Sequence, residues 1–157
     1  MGRQYVDPRE KIHEFDVNKV DQPYFYVFRP QVAVAPGATA IVQKNVAFRD
    51  FVWTELGWTT DAVFAPVIGF PNVGVNFRAN IRDISQQKFF ADERVDLSTL
   101  TGTNPQWFDK AMYKLPVEWR FVMNTTIWVE VENIGLVASI PTITLGGYLT
   151  DPIQLKR

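Results

Sequence analysis

Two segments in which apolar and polar residues alternate strictly constrain this fold more than any other feature of the chain. They are VNFRANIR (75–82) and IWVEVE (127–132), and in both every second residue is apolar. A period of two is typical of a β-strand with one face in the core and the other facing solvent or a partner. The sequence therefore predicts a sheet with a polar outer face.

Similar short segments recur along the chain and are separated by Gly, Pro and Asn. No long helical pattern alternates with them, which favours antiparallel pairing. About eight strands at this spacing predict an all-β fold, an antiparallel β-sandwich or small barrel, and a jelly-roll-like sandwich is the architecture that we expect. The main predicted strands cover residues 24–28, 42–48, 51–58, 75–81, 118–122, 127–131 and 143–149.

Four local expectations accompany these strands. Val42, Val46 and Phe48 should share one face of their strand, and Glu55 should lie on the same side as Phe51 and Trp53. Residues 84–104 read as a long loop that holds a short strand. A short helix should begin at Asn104–Pro105, carry Trp107, Phe108, Ala111 and Met112, and end at Pro116.

The two ends of the chain differ from the predicted domain, which covers residues 23–150. Residues 1–22 hold nine charged side chains and no long apolar run, and they predict an extended or short-helical N-terminal arm. The arm is either a frayed terminus or a segment that docks on a neighbouring subunit through Tyr5, Ile12 and Phe15. Residues 151–157 are expected to form a tail.

Charge and composition exclude several classes of function. The 157 residues carry a net charge of −1, which does not predict a nucleic-acid-binding surface. No apolar run is long enough to span a membrane, and no secretory signal is visible, so a soluble protein that is not exported by a signal peptide of its own is expected. The chain has no Cys and a single His, His13, so thiolate or histidine metal sites and a bound cofactor are not expected.

The sequence shows no convincing catalytic set, and we expect no enzyme. Glu130 and Glu132 lie two apart on one strand face, as paired carboxylates of a glycosidase could, but a polar outer face explains them more simply. Asp92, Glu93 and Asp96 cluster without the spacing of a calcium loop.

The clearest candidates are interface residues. Arg78 and Arg82 interleave with aromatic side chains, and Trp128 shares the outer face of its strand with the carboxylates of Glu130 and Glu132. Tryptophan and arginine side chains are enriched at the centres of protein interfaces. An alternative is that Trp128 is covered within the chain by the helix that carries Trp107.

The C-terminal third carries a resemblance to a known family. YKLPVEWRFVMNTTIWVEVENIG, followed by ITLGGYL, resembles small β-sandwich structural proteins of tailed bacteriophages, with Pro116, Asn124, Asn133, Gly146 and Gly147 carrying the pattern. The long segment FFADERVDLSTLTGTNPQWF, which precedes the closing hairpin, also fits the pattern of this family. The resemblance covers roughly the second half of the chain.

This resemblance implies a virion structural protein, first of all a head decoration or cement protein on the capsid exterior. Its partner would be the major capsid protein or other virion subunits, and it would act as a homo-oligomer, with a trimer as the first expectation. A tail or neck protein is the nearest alternative. A carbohydrate-binding or receptor-binding β-sandwich module is the alternative from another class.

Overall fold

A computed structural model describes residues 21–61, 76–101 and 112–151, and the predicted strands of the described ranges are present in it. The single described helix, α1, is five residues long, so the described part of the chain is almost entirely β-structure. The elements are β1 Gln22–Phe28, β2 Thr39–Asn45, β3 Asp50–Thr60, β4 Phe77–Asp83, β5 Lys88–Phe89, β6 Val95–Asp96, α1 Leu97–Thr101, β7 Tyr113–Phe121, β8 Thr126–Asn133 and β9 Pro141–Thr150.

Within the described ranges, nine strands form two antiparallel sheets, one with the order β1-β9-β3-β7 and the other with the order β2-β8-β4-β5, with β6 also on β4. The pairs are nested along the sequence, because β1 pairs with β9, β2 with β8, β3 with β7, and β4 with β5 and β6. A long antiparallel ribbon rolled into two sheets in this way is a jelly roll of eight strands when β5 and β6 are counted as one interrupted strand. The predicted fold class is confirmed.

The interruption between β5 and β6 is a wide bulge on the edge of the second sheet. Arg82 lies opposite Phe89, but Ala79 lies opposite Val95. The β5–β6 segment therefore contains three more residues than the stretch of β4 that it pairs with. The backbone N–H of Phe90 still donates to the carbonyl of Ile81 at 2.8 Å. The sequence prediction of a long loop with one short strand was incomplete, because a bulge of this width hides the period-two pattern.

A second bulge, at Thr54 in β3, corrects the prediction for Glu55. Trp53 lies opposite Gly147 and Glu55 lies opposite Gly146, so one residue of β3 has no partner in β9. The indole N–H of Trp53 donates to the carbonyl of Glu55 at 2.7 Å across this bulge. The extra residue reverses the alternation, so Glu55 faces outward while Leu56 is buried.

The core lies between the two sheets and is dominated by aromatic side chains of the first sheet. Trp53, Phe51 and Phe121 are fully buried, and the rings of Trp119 and Phe121 stack with centroids 5.3 Å apart. The second sheet contributes the inward residues of the two strictly alternating strands. These are Phe77, Ala79, Ile81, Ile127, Val129 and Val131, all of which are buried.

Two further expectations need correction. β2 ends at Asn45, so Val46 is buried in the following loop while Phe48 is almost fully exposed and does not share its face. Pro116 lies inside the edge strand β7, where a missing N–H is tolerated, and does not end a helix. The helix predicted after Asn104 lies outside the described residues, as does most of the N-terminal arm, and β1 begins at Gln22, the last residue assigned to that arm.

Candidate functional site

The outer face of the second sheet gathers most of the polar candidates. Along β4 and β8, Arg78 lies opposite Glu132, Asn80 opposite Glu130, and Arg82 opposite Trp128. These side chains all point away from the core because their neighbours in sequence point into it. The bulge between β5 and β6 then adds three charged residues, Asp92, Glu93 and Arg94, beside this row.

An ion-pair network connects the bulge to β8. Arg94 contacts both Glu130 and Glu132, and the distance from its Nη1 to Glu132 Oε2 is 3.2 Å. Arg82 reaches Glu130 from β4, with 3.1 Å between Nη2 and Oε2. The hydrogen bond to Glu130 raises the pKa of the Arg94 guanidinium above its ordinary value. The network therefore fixes the position of the bulge on the sheet.

These residues enclose an open pocket of about 360 Å³ that we call the charged pocket. Its lining is entirely polar or charged and consists of Arg78, Asn80, Arg82, Asp92, Glu93, Arg94, Glu130 and Glu132. Pockets that bind small molecules are usually lined mostly by apolar and aromatic side chains, with few polar groups. The charged pocket therefore has the composition of an ionic contact surface.

The paired carboxylates are not arranged as glycosidase residues. Arg94 bridges Glu130 and Glu132, whereas glycoside hydrolysis needs two carboxyl groups that face each other across a bound sugar. The calcium candidates also separate, since Asp92 lines the charged pocket while Asp96 accepts hydrogen bonds from Ser98 at the start of α1. Within the described ranges, no group of three or more His, Asp or Glu side chains is placed to hold a metal ion.

Trp128 is partly buried on this face and is less exposed than its sequence pattern suggests. Its indole Nε1 is buried and has no hydrogen-bond partner among the described residues. The opposite residue, Arg82, places its guanidinium 4.9 Å from the centroid of the Phe89 ring. Trp128 is therefore only partly exposed, and its interface role stays a prediction.

The structure brings three of the predicted interface residues together, since Arg78, Arg82 and Trp128 occupy the outer face of β4 and β8. The other four, Tyr5, Ile12, Phe15 and Trp107, lie outside the described residues. Arg94 joins this face through the bulge, and only the interleaving of basic and aromatic residues pointed to it in the sequence.

A second surface, missed by the sequence analysis, lies where the described chain begins and ends. We call it the terminal tip, and it comprises the loops 46–49, 84–87 and 122–125. Gln22 lies opposite Leu149 and Asp50 opposite Thr150, so the first and last described residues lie at this end of the sandwich. Each of the three loops carries one exposed apolar side chain; these are Phe48, Ile84 and Val122.

Hydrogen bonds tie the loops of the terminal tip together. Val46 donates its N–H to Thr125 O at 2.9 Å and accepts from Asn124 N at 2.7 Å. The buried carboxylate of Asp83 accepts from Ser85 N and from the hydroxyl of Thr125. Asn124 has a φ of 69°, in the left-handed region that Asn tolerates in turns. The tip thus presents its apolar side chains on a fixed framework.

Comparison of the chain with protein-family models, with curated proteins and with solved structures found no match. No helix in the described part of the chain is long and apolar enough to cross a membrane.

Proposed function

We propose that this chain is a virion structural protein of a tailed bacteriophage, specifically a head decoration protein that binds the outside of the assembled major capsid lattice and stabilises it. It acts through its surfaces and catalyses no reaction. A protein that binds the assembled shell but not the free subunits stabilises the shell by mass action.

The observation that carries this proposal is the terminal tip. The Phe48 side chain is 87 % exposed on a hydrogen-bonded loop, at the end of the sandwich where β1 begins. An exposed aromatic side chain on a fixed framework loses little entropy on binding and supplies a large apolar contact area. The tip and the arm together would therefore form one docking surface on the capsid.

The fold and the charged pocket are consistent with this role. Jelly rolls are frequent among viral capsid and lectin domains, so the topology allows both and decides neither. A lectin-like site would need an apolar or aromatic platform, whereas the charged pocket is lined by ion-paired side chains such as Arg94 and Glu130. This lining favours the structural role over the carbohydrate-binding alternative.

The test is binding to shells assembled from the major capsid protein of the same virus. The purified chain should cosediment with these shells and raise their thermal rupture temperature. Phe48→Asp should abolish cosedimentation, because a charge would be desolvated at the contact. Val32→Asp is the matched control, because Val32 is 74 % exposed in the loop after β1, at the opposite end of the sandwich.

Binding by Val32→Asp but not by Phe48→Asp supports the proposal. Wild-type protein that stays in the supernatant at saturating concentration contradicts capsid binding. Equal binding by wild type and Phe48→Asp contradicts the assignment of the docking surface.

A further inference from the structure

The four edge strands of the two sheets differ in how they resist pairing with another strand. β7 contains a bulge between the pairs Trp53–Trp119 and Glu55–Lys114, where four of its residues face one residue of β3. Pro116 lies in this bulge. β2 carries Lys44, and the β5–β6 edge is broken by the charged bulge. Proline, lysine and bulges are the devices by which natural sheets avoid edge-to-edge association.

The remaining edge, β1, has no lysine and no bulge. Its seven residues, QPYFYVF, include no charged side chain, its single proline stands at the second position, and among the described strands it pairs only with β9. Phe25 and Val27 face outward beside this edge and are 53 % and 42 % exposed. Phe25 lies opposite Gly146, and its ring is close enough to this glycine that a Cβ atom there would lie 3.0 Å from it.

We propose that β1 is a self-association strand that pairs antiparallel with β1 of a second copy about a twofold axis at Phe25. The pairing would join two four-stranded sheets into one continuous eight-stranded sheet. In such an isologous contact, Phe25 meets Phe25 of the second copy and Pro23 meets its Val27. The contact goes beyond capsid binding and does not depend on it.

Charge complementarity favours a second copy of this chain as the partner of β1, and it favours the antiparallel register centred on Phe25. Asp21 directly precedes β1 and Arg29 directly follows it, and both are exposed. Because 21 and 29 are equidistant from 25, antiparallel pairing centred on Phe25 places Asp21 of each copy opposite Arg29 of the other. Parallel pairing would instead place like charges opposite each other, which destabilises paired strands.

The test is sedimentation velocity of the full chain over a concentration series. Wild type should show a concentration-dependent monomer–dimer equilibrium. Asp21→Arg and Arg29→Asp should each raise the dimer dissociation constant about tenfold, because each creates like-charged pairs across the axis. The double variant Asp21→Arg/Arg29→Asp restores both opposite-charge pairs and should bring the constant back to within about threefold of wild type.

A second pair of variants separates the β1 edge from general surface effects. Val27→Lys should weaken the dimer, while Val117→Lys, on the opposite edge of the same sheet and 78 % exposed, should leave it unchanged. Thermal melting of each variant checks that the fold is retained. A wild type that stays monomeric or forms a trimer would overturn the proposal. It would also be overturned if the two charge reversals added without rescue in the double variant, or if Val27→Lys and Val117→Lys had equal effects.

Discussion

Replacing Gly147 with alanine tests the strand register on which the whole jelly-roll topology depends. Gly147 lies opposite Trp53, at the bulge where the central strands β3 and β9 pair. A Cβ atom on Gly147 would lie 1.8 Å from the carbonyl oxygen of Val52, far inside any normal contact. The obstacle is backbone in the middle of a sheet, so it cannot rotate away, and the two strands must part.

The neighbouring glycine supplies the control. A Cβ on Gly146 would meet Glu55 Cγ at 2.7 Å and the Phe25 ring at 3.0 Å, and both are side chains that can move. Overpacking costs about 1–3 kcal/mol and sometimes more, so we expect about 3 kcal/mol or more for Gly147→Ala. For Gly146→Ala we expect about 1 kcal/mol or less, at the low end of the same range.

Urea denaturation of both variants at one protein concentration measures the difference. Fixed concentration is required because self-association adds to the apparent stability. A Gly147→Ala protein as stable as wild type, or more stable than Gly146→Ala, would refute the register, since a slip of one residue exchanges the surroundings of the two glycines.

Three further predictions concern single side chains. Val129→Asp places an unpaired charge in the core and should cost several kcal/mol, so it should yield no cooperative thermal transition; a normal transition would contradict the burial of Val129. Trp128→Ala should cost about half of the roughly 3–5 kcal/mol expected for Trp53→Ala, because Trp128 is only partly buried; equal losses in urea denaturation would show full coverage of Trp128 within the chain. Burial raises the pKa of Tyr26, so its folded form holds the proton that the unfolded chain loses, and stability should fall as pH rises past about 10; this alkaline loss should shrink in Tyr26→Phe, and an unchanged pH dependence would contradict the cause.

The strands with uninterrupted alternation were predictable from sequence, and the bulged ones were predictable only in part. Ile127, Val129 and Val131 all face the core as expected, because nothing interrupts β8. The faces of β3 reverse at Thr54, and no composition signal marks that extra residue. β7 was predicted to begin at Glu118 but begins at Tyr113, because Pro116 was assigned to the end of a helix, whereas an edge strand tolerates a proline.

For the candidate surfaces too, alternation predicts the face on which a residue lies but does not predict the effect of a bulge or the end of a strand. Period-two alternation places Arg78, Arg82 and Glu130 on the outer faces of their strands, and the pairing of β4 with β8 brings them together. The ion pair between Arg94 and Glu130 could not be predicted. The two residues are 36 positions apart in sequence, and the bulge between β5 and β6 brings them together. Phe48 was assigned to a strand face because nothing in the sequence shows that β2 ends at Asn45.

Residues 1–20 offer an independent test of the docking surface. Their removal should leave a folded β-sandwich, because β1 begins after them, but the truncated chain should bind capsid shells poorly. Circular dichroism and cosedimentation measure the two properties separately. Loss of the fold on truncation would show that the arm belongs to the core, and full binding would show that it takes no part in docking.

The copy number and position of this chain in intact particles decide whether it decorates a phage head. Quantitative mass spectrometry of purified particles, combined with their cryo-EM reconstruction, gives both. We expect many copies, comparable in number to the major capsid protein, on the exterior of the head with the terminal tip against the lattice. Absence from the particles would contradict a virion role, and a few copies at the tail or neck would contradict head decoration.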